Sequence, residues 1–125
     1  MLDFTKKGVI NLHGLPLKMV NKNILNLLHS GENVVAPFAV VRDQVIFTNK
    51  RIITVEVNGI TGVQQDIFSL PYRKVQYYGI KTAGFAEVIP DSSLLLFFAD
   101  GKKAEFHFQE KANIIEIGRI IGMYC

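Results

Sequence analysis

The side chains best suited to bind a charged group are three cations in the middle of the sequence. Lys50 and Arg51 follow Asn49 in a predicted tight turn, and Arg73 comes directly after Tyr72. Proteins bind phosphates and carboxylates where several hydrogen-bond donors converge. Lys50, Arg51 and Arg73 are therefore candidates to bind an anion or a partner. In the alternative interpretation they are solvated turn residues, since Asn49 favours the backbone geometry of a tight turn.

Arg73 has a further possible role as one half of an ion pair. An arginine held in a fixed position can pair with a buried or interfacial carboxylate. Asp43 and Glu56 are the two carboxylates considered for such a pair. Both roles of Arg73 stay open at the level of sequence.

Residue types that support catalysis or metal binding are present but scattered. The three histidines, His13, His29 and His107, are far apart and lack the spacing of a metal site. The single cysteine, Cys125, is the last residue and is expected to be an inert thiol. An active site needs several such groups in one place. We therefore predict no catalytic residues, no metal and no cofactor.

The composition indicates a globular cytoplasmic protein of modest charge. The 125 residues include 14 Lys and Arg against 11 Asp and Glu, for a net charge of +3, and 49% are hydrophobic. The cations form no dense block, so a nucleic-acid partner is not expected. Attraction to an anionic membrane would be weak or absent at physiological salt. One unpaired cysteine and the lack of a leader-like apolar run near the N-terminus favour the cytoplasm.

Most of the chain has the alternating period of short β-strands. Asn58-Gly59 and Asp100-Gly101 are hairpin signals, because asparagine, aspartate and glycine tolerate positive φ. Pro37 predicts an edge position or a bulge in the first strand. The predicted strands span residues 34–41, 44–48, 50–57, 63–70, 74–80, 94–99 and 104–109. About seven short strands at regular spacing are typical of an antiparallel barrel or sandwich.

The N-terminal part of the chain contains one short predicted helix. Asn21 or Asn23 can cap this helix, and Gly31 can end it. The apolar residues on its predicted buried face are Ile24, Leu25 and Leu28. Residues 1–20 are expected to be loosely structured, and residues 21–125 to form one domain.

A second helix is predicted from residue 110 to the end of the chain, and it is amphipathic. Gly118 and Gly122 each weaken it by roughly 1 kcal/mol relative to alanine, so tertiary packing must hold it. The residues that share its apolar face are Ile114, Ile117, Ile120, Ile121 and Tyr124.

A set of short motifs between residues 28 and 124 carries a family resemblance. The motifs are Gly31-Glu32, Arg42-Asp43, Phe47 to Arg51, Pro71 to Arg73 and Thr82 to Gly84. In this combination the chain resembles the bacterial pleckstrin-homology-like domain family of small single-domain proteins. The resemblance implies a pleckstrin-homology-like antiparallel β-barrel capped by a C-terminal helix. Relatives often carry an acidic residue before Thr82, where this chain has Lys81.

Self-association is predicted from the strand at residues 94–99, which is apolar on both faces. One face of a strand in a small barrel normally meets water. The predicted interface consists of Leu95 and Phe97 on this strand, with Tyr77, Phe85 and Ile115 as further members. In the alternative interpretation, the helix or the N-terminal segment covers the strand. The resemblance implies a ring-like homo-oligomer.

The sequence therefore favours a noncatalytic interaction or scaffold module that self-associates and binds a protein partner. The alternative is a binder of an anionic lipid surface or a small anionic ligand through Lys50, Arg51 and Arg73. Eukaryotic pleckstrin-homology domains that bind inositol phosphates use a long basic loop between their first two strands. The corresponding connection here is short, so that particular mode of lipid binding is not expected.

Overall fold

Eight strands and two α-helices make up the part of the chain described by the computed structural model, which is residues 10–40, 43–61, 64–81, 92–108 and 114–124. The strands are β1 (Ile10–Gly14), β2 (Val34–Val40), β3 (Asp43–Thr48), β4 (Arg51–Asn58), β5 (Gln64–Pro71), β6 (Val75–Lys81), β7 (Ser92–Phe98) and β8 (Lys103–Phe108). The helices are α1 (Lys22–Leu27) and α2 (Ile114–Tyr124), and short 3₁₀ turns lie at Leu17–Met19 and Tyr72–Lys74.

The strands form one curled sheet in the order β5-β4-β3-β2-β1-β8-β7-β6. All neighbours in this order are antiparallel except β1 and β8, which are parallel. β5 and β6 lie at opposite edges, yet only the Tyr72–Lys74 turn connects them. The sheet must therefore curl until its two edges meet at this turn. The predicted mainly-β fold with a C-terminal helix is confirmed.

The N-terminal segment differs from its prediction, because residues 10–14 form a strand rather than a loose segment. β1 lies between β2 and β8, and Leu12 is fully buried. Asn11 and His13 on either side of Leu12 are exposed, which is the alternation of a half-buried strand. The strand has only five residues, and Gly14 and Pro16 next to it favoured a loop. The described sheet therefore has eight strands and not seven.

The interior of the curled sheet is filled by apolar side chains from the strands and from α2. Phe47 contacts the rings of Phe38, Phe106 and Phe108 at centroid distances of 5.7, 5.9 and 6.1 Å. The isoleucines of α2 that belong to this core are Ile114, Ile117, Ile120 and Ile121, as predicted. Tyr124 is an exception on the predicted apolar face, because 42% of it is exposed.

The helix α1 covers the outer face of β3 and β4. Its Ile24 and the preceding Val20 pack with residues of these strands in a second buried cluster, whose other members are Ile46, Ile53 and Val55. The Asn21 side chain caps the helix by accepting a hydrogen bond from the Asn23 backbone N–H at 2.8 Å. The predicted burial of Leu25 is wrong, because the helix ends at Leu27 and leaves Leu25 44% exposed.

The two glycines of α2 let this helix approach β6 closely. A Cβ atom on Gly118 would lie 2.7 Å from Cδ1 of Ile80, and one on Gly122 would lie 2.7 Å from the Tyr78 hydroxyl oxygen. Such distances are well inside van der Waals contact. The low helix propensity of glycine is thus offset by closer packing of the helix on the sheet.

The predicted hairpins are both present. Gly59 has a φ of 78° and Gly101 a φ of 84°, values that glycine adopts without strain. Because Asn58 pairs with Gln64, the first connection is longer than the two-residue turn that Asn-Gly favours. The bulge predicted near Pro37 is present as a register shift between Val34 and Ala36, whereas the alternative of an edge position is wrong, because β2 lies between β1 and β3.

Thr54 is the one side chain in the described residues with a buried hydroxyl that lacks a hydrogen-bond partner. It lies on β4 on the same face as the core residue Ile52. A buried polar group without a partner is destabilising. We expect Thr54→Val to raise the free energy of unfolding by about 1 kcal/mol, measured by urea denaturation. As a control, Thr48→Val should lower it, since that hydroxyl is hydrogen-bonded; a destabilising Thr54→Val would contradict the prediction.

Candidate functional site

A cleft of about 360 Å³ opens beside the turn between β3 and β4, the end of β5 and the end of α2. Its volume is at the lower end of the range of small-molecule sites, about 300–1,000 Å³. The lining residues are His29, Glu32, Lys50, Arg51, Ser69, Pro71, Arg73 and Tyr124. All three predicted cations, Lys50, Arg51 and Arg73, are therefore neighbours in space.

The floor of the cleft is an ion pair between Arg51 and Glu32. Nε of Arg51 donates to Oε2 of Glu32 at 2.9 Å, and Nη2 donates to Oε1 at 3.1 Å. The Glu32 side chain is fully buried and the Arg51 side chain is 17% exposed. Nη2 of Arg51 also donates to the Leu27 carbonyl at 2.9 Å, and Nη1 donates to Oγ of Ser69 at 3.2 Å. The bidentate pairing with Glu32 and these further hydrogen bonds fix the orientation of the guanidinium.

Hydrogen bonds around Thr48 hold the loop of Glu32 against the turn between β3 and β4. The Thr48 hydroxyl donates to Oε2 of Glu32 at 2.7 Å and accepts from the backbone N–H groups of Lys50 and Arg51 at 3.0 Å each. Asn49 reaches the same loop, because its side chain accepts from the Asn33 N–H at 2.8 Å and donates to the Gly31 carbonyl at 3.0 Å. Asn49 is therefore a structural residue.

The pKa of Glu32 is set by opposing effects. Burial alone would raise it, but the hydrogen bonds from Arg51, the His29 backbone N–H and Thr48, together with the positive charge of Arg51, hold the pKa of Glu32 below its usual value. The carboxylate is therefore charged at neutral pH. Glu32 lies in a loop outside any strand or helix period, so periodicity does not reveal its role, although Gly31-Glu32 is one of the motifs that carry the family resemblance.

Acid should destabilise the protein through Glu32. Its folded pKa lies below the ordinary value of 4.5, so its stabilising effect is present above that pH and is lost as the pH falls through the folded pKa. We expect the free energy of unfolding, measured in urea, to fall between about pH 5 and pH 3. Glu32→Gln should show a shallower dependence across that window; an unchanged slope would mean that Glu32 does not contribute.

Tyr72 lies beside this network at the corner that joins β5 to β6. Its hydroxyl donates to the Thr48 carbonyl at 2.6 Å, and its side chain is almost fully buried. Burial, and secondarily the negative charge of Glu32, raise the pKa of Tyr72 far above its ordinary value. The ring of Tyr124 on α2 lies 6.4 Å from that of Tyr72. Tyr72 thus links the floor of the cleft to its wall.

The three predicted cations differ in their surroundings. Arg51 is engaged by Glu32, whereas Lys50 and Arg73 are exposed at the mouth of the cleft. In the described part of the chain no ion pair joins Arg73 to Asp43 or Glu56. Asp43 accepts a hydrogen bond from the Val57 N–H at 2.8 Å. The arginine that pairs with a buried carboxylate is Arg51, and not Arg73.

Comparison with known proteins decides the family. The family model described as the bacterial PH domain matches residues 3–125. The chain belongs to the bacterial PH domain family. Two proteins of Bacillus subtilis (strain 168) are similar in sequence. Uncharacterized protein YjqA is 29% identical over 115 residues, covering 92% of each chain, and uncharacterized protein YozO is 30% identical over 100 residues, covering 80% of this chain and 84% of its own.

Solved structures confirm the fold of this bacterial PH domain. A DUF1696 family protein with a pleckstrin-homology domain from Shewanella loihica PV-4 matches with a TM-score of 0.64 at 22% identity, covering 91% of this chain and 97% of its own. A pleckstrin homology domain from Shewanella amazonensis SB2B matches with a TM-score of 0.55 at 23% identity, covering 88% of each chain. At these identities the likeness concerns the fold alone.

The cleft of this bacterial PH domain lies at one end of β3, and the connection between β2 and β3 lies at the other. That connection, residues 41–42, was predicted to be too short for the inositol phosphate site of eukaryotic domains, and it is outside the described residues. The described residues contain no cluster of three or more candidate metal ligands. No helix among them is long and apolar enough to cross a membrane.

The second predicted site, on the outer face of β6 and β7, is only partly exposed. Tyr77 is 57% exposed, and its ring stacks on that of half-buried Phe97 at a centroid distance of 4.3 Å and an angle of 8°. Leu95 points to this face but is only 7% exposed, so it offers little surface. Ile115 is half-buried against the core, and Phe85 is outside the described residues.

The N-terminal segment does not provide the predicted cover for β7 within the described residues. Val20 and Ile24 pack on β3 and β4 instead. α2 packs on the interior of the sheet, where Leu94 and Leu96 belong to the same core. Within the described residues, the cores that contain α1 and α2 do not include the stacked pair of Tyr77 and Phe97, and Tyr77 is well exposed on the edge strand β6.

Proposed function

We propose that this bacterial PH domain is a noncatalytic interaction module that associates with a second copy of itself through the outer face of β6 and β7. The observation that carries this proposal is the exposed ring of Tyr77, stacked in parallel on Phe97. Tyrosine is enriched among residues that dominate binding energy, because it buries a large area at a low entropy cost. The stack also holds the ring in one orientation before any partner arrives.

A second copy is the favoured occupant because this face carries charges of both signs. Phe97 is paired with Lys103, and Leu95 with Glu105, so both charged residues lie on the same face as the aromatic stack. A two-fold contact can bring each lysine near a glutamate of the other copy. Tyr77 is on the edge strand β6, so a copy can approach without displacing another strand.

Two kinds of symmetric assembly, a dimer and a ring, are compatible with a contact through this face. A two-fold contact between identical faces gives a dimer, whereas the ring implied by the resemblance needs a second, different patch. A protein partner other than a second copy could occupy the same face, as the sequence also predicted. The solution mass separates these cases.

Sedimentation velocity at micromolar concentration tests the proposal. We expect a mass of at least twice 14.0 kDa for the natural chain. Tyr77→Ser should shift the protein to the monomer while its circular dichroism spectrum stays that of the folded chain. Tyr124→Ser is the matched control, since Tyr124 is an exposed tyrosine on a different element. A monomeric natural chain, or a Tyr77→Ser variant of unchanged mass, would overturn the proposal.

A further inference from the structure

We infer that the cleft is a binding site for a small organic anion, with one phosphate or carboxylate group joined to a planar body. The proposal does not depend on self-association, because the cleft and the outer face are formed by different residues. It assigns the anion to Lys50, Arg73 and Ser69, and the planar body to Tyr124. Arg51 is a positioning residue in this assignment.

Arg51 is not free to be the main ligand of the anion. All three of its guanidinium nitrogens donate hydrogen bonds within the chain, to Glu32, Leu27 and Ser69. Its contribution is to fix the cleft wall, because Oγ of Ser69 accepts from Nη1 of Arg51 at 3.2 Å. The Ser69 hydroxyl then keeps its own hydrogen for another acceptor.

The charge of the lining is positive once the internal pair is subtracted. Lys50, Arg51 and Arg73 are set against the single carboxylate of Glu32, which leaves two positive charges if His29 is neutral. Lys50 and Arg73 carry those charges, and in the described part of the chain neither of them forms an ion pair. An ammonium, a guanidinium and a hydroxyl around one cleft supply the converging donors that a phosphate or carboxylate needs.

The rest of the lining suits an apolar or planar body. Pro71 and the partly exposed ring of Tyr124 form this part of the cleft. The ring of Tyr124 is itself packed near the buried ring of Tyr72, which supports it from behind. Aromatic rings favour offset-stacked contacts with other planar groups. The volume of about 360 Å³ admits a small molecule with a single ring more readily than a folded protein segment.

Phenyl phosphate and benzoate are suitable probes, titrated into the full chain and followed by amide chemical shifts. We expect saturable binding, with the largest shifts at residues 50, 51, 69, 73 and 124. Inorganic phosphate, which lacks the planar body, should bind about tenfold more weakly. Shifts that are equal for phenyl phosphate and inorganic phosphate would overturn the assignment of the planar body to Tyr124.

Lys50→Gln and Arg73→Gln test the assignment of the anion. Both residues are exposed, so both variants should unfold at the same temperature as the natural chain. Each should weaken the binding of phenyl phosphate about tenfold, the effect of one charge-assisted hydrogen bond. Lys22→Gln is the matched control, because it removes an exposed lysine at the start of α1, outside both the cleft and the outer face, and should leave binding unchanged.

Three results would overturn the proposal. They are no saturable binding of either probe, binding that Lys50→Gln and Arg73→Gln leave unaltered, and binding to phosphatidylglycerol vesicles without binding to the soluble probes. The last result would identify a membrane surface instead. The Tyr77→Ser variant should bind the probes as the natural chain does, and the Lys50→Gln variant should have the same solution mass as the natural assembly. Failure of this site is thereby distinguished from failure of self-association.

Discussion

Replacing Arg51 by methionine is expected to lower the free energy of unfolding at pH 7 by about 3–5 kcal/mol. The substitution removes the only guanidinium that neutralises the fully buried Glu32 side chain among the described residues. An isolated buried carboxylate is far less stable than a paired one. Urea denaturation followed by circular dichroism measures the change, and a loss of less than about 1 kcal/mol would contradict the prediction.

Arg119→Met is the matched control for that substitution. Arg119 also donates to a glutamate, Glu116, at 2.8 Å, but on α2 the Arg119 side chain is 66% exposed and that of Glu116 41% exposed. An exposed pair of this kind contributes little, so the control should change the stability by less than about 0.5 kcal/mol. The comparison separates the effect of burial from the effect of removing an Arg–Glu pair.

The loss of stability caused by Arg51→Met should be smaller in acid. Without Arg51, burial is expected to raise the pKa of Glu32 above its unfolded value. A carboxyl group with a raised folded pKa loses stability as the pH rises, so the variant regains stability as Glu32 takes up a proton. The difference between the natural chain and the variant should therefore be smaller at about pH 4 than at about pH 7.

Replacing Tyr72 by alanine should also cost about 3–5 kcal/mol of stability. The ring is almost fully buried at the turn that joins the two edges of the sheet, and its hydroxyl bonds to the Thr48 carbonyl. The substitution opens a cavity and leaves that carbonyl without this donor. Thermal or urea unfolding measures the loss. Tyr77→Ala, at an exposed position, should cost less than about 1 kcal/mol, and an equal cost for both would refute the assigned burial.

Tyr72→Phe isolates the hydroxyl of this residue. Loss of the hydrogen bond should cost about 1–2 kcal/mol near pH 7. Because the folded pKa is raised, the natural chain loses stability as the pH rises above the ordinary tyrosine value of about 10, where only the unfolded chain ionises. The Tyr72→Phe variant should lack the loss of stability above about pH 10 that this hydroxyl causes in the natural chain.

Most strands could be predicted from the sequence because their residues alternate between the interior and the surface. Phe106 and Phe108 are buried while Glu105 and His107 are half-exposed, so the pattern and the structure agree there. β1 escaped prediction because a strand of five residues has too few alternations, and its place between β2 and β8 depends on residues far along the chain. Leu25 was assigned to the wrong face because a helix of six residues is too short to define one.

The three cations of the candidate cleft could be predicted from the sequence, but the contacts that hold the cleft together could not. Lys50, Arg51 and Arg73 are prominent in the sequence as two turns with basic residues, and the fold places the turns side by side. The pairing of Arg51 with Glu32 is a contact between a strand end and a distant loop, which no local pattern encodes. The exposure of Leu95 was overestimated for a similar reason. Alternation along the strand predicts which face of the sheet the side chain is on, but it does not predict how closely other residues pack around that side chain.

The separation between buried Arg51 and exposed Lys50 has an evolutionary consequence. A change at Arg51 is expected to destabilise the fold, so selection for stability alone is sufficient to retain it. The side chains of Lys50 and Arg73 form no ion pair among the described residues, and substitutions at such exposed positions change stability little. Substitutions at the rim of this cleft are therefore expected to change its surface charge while the scaffold stays stable.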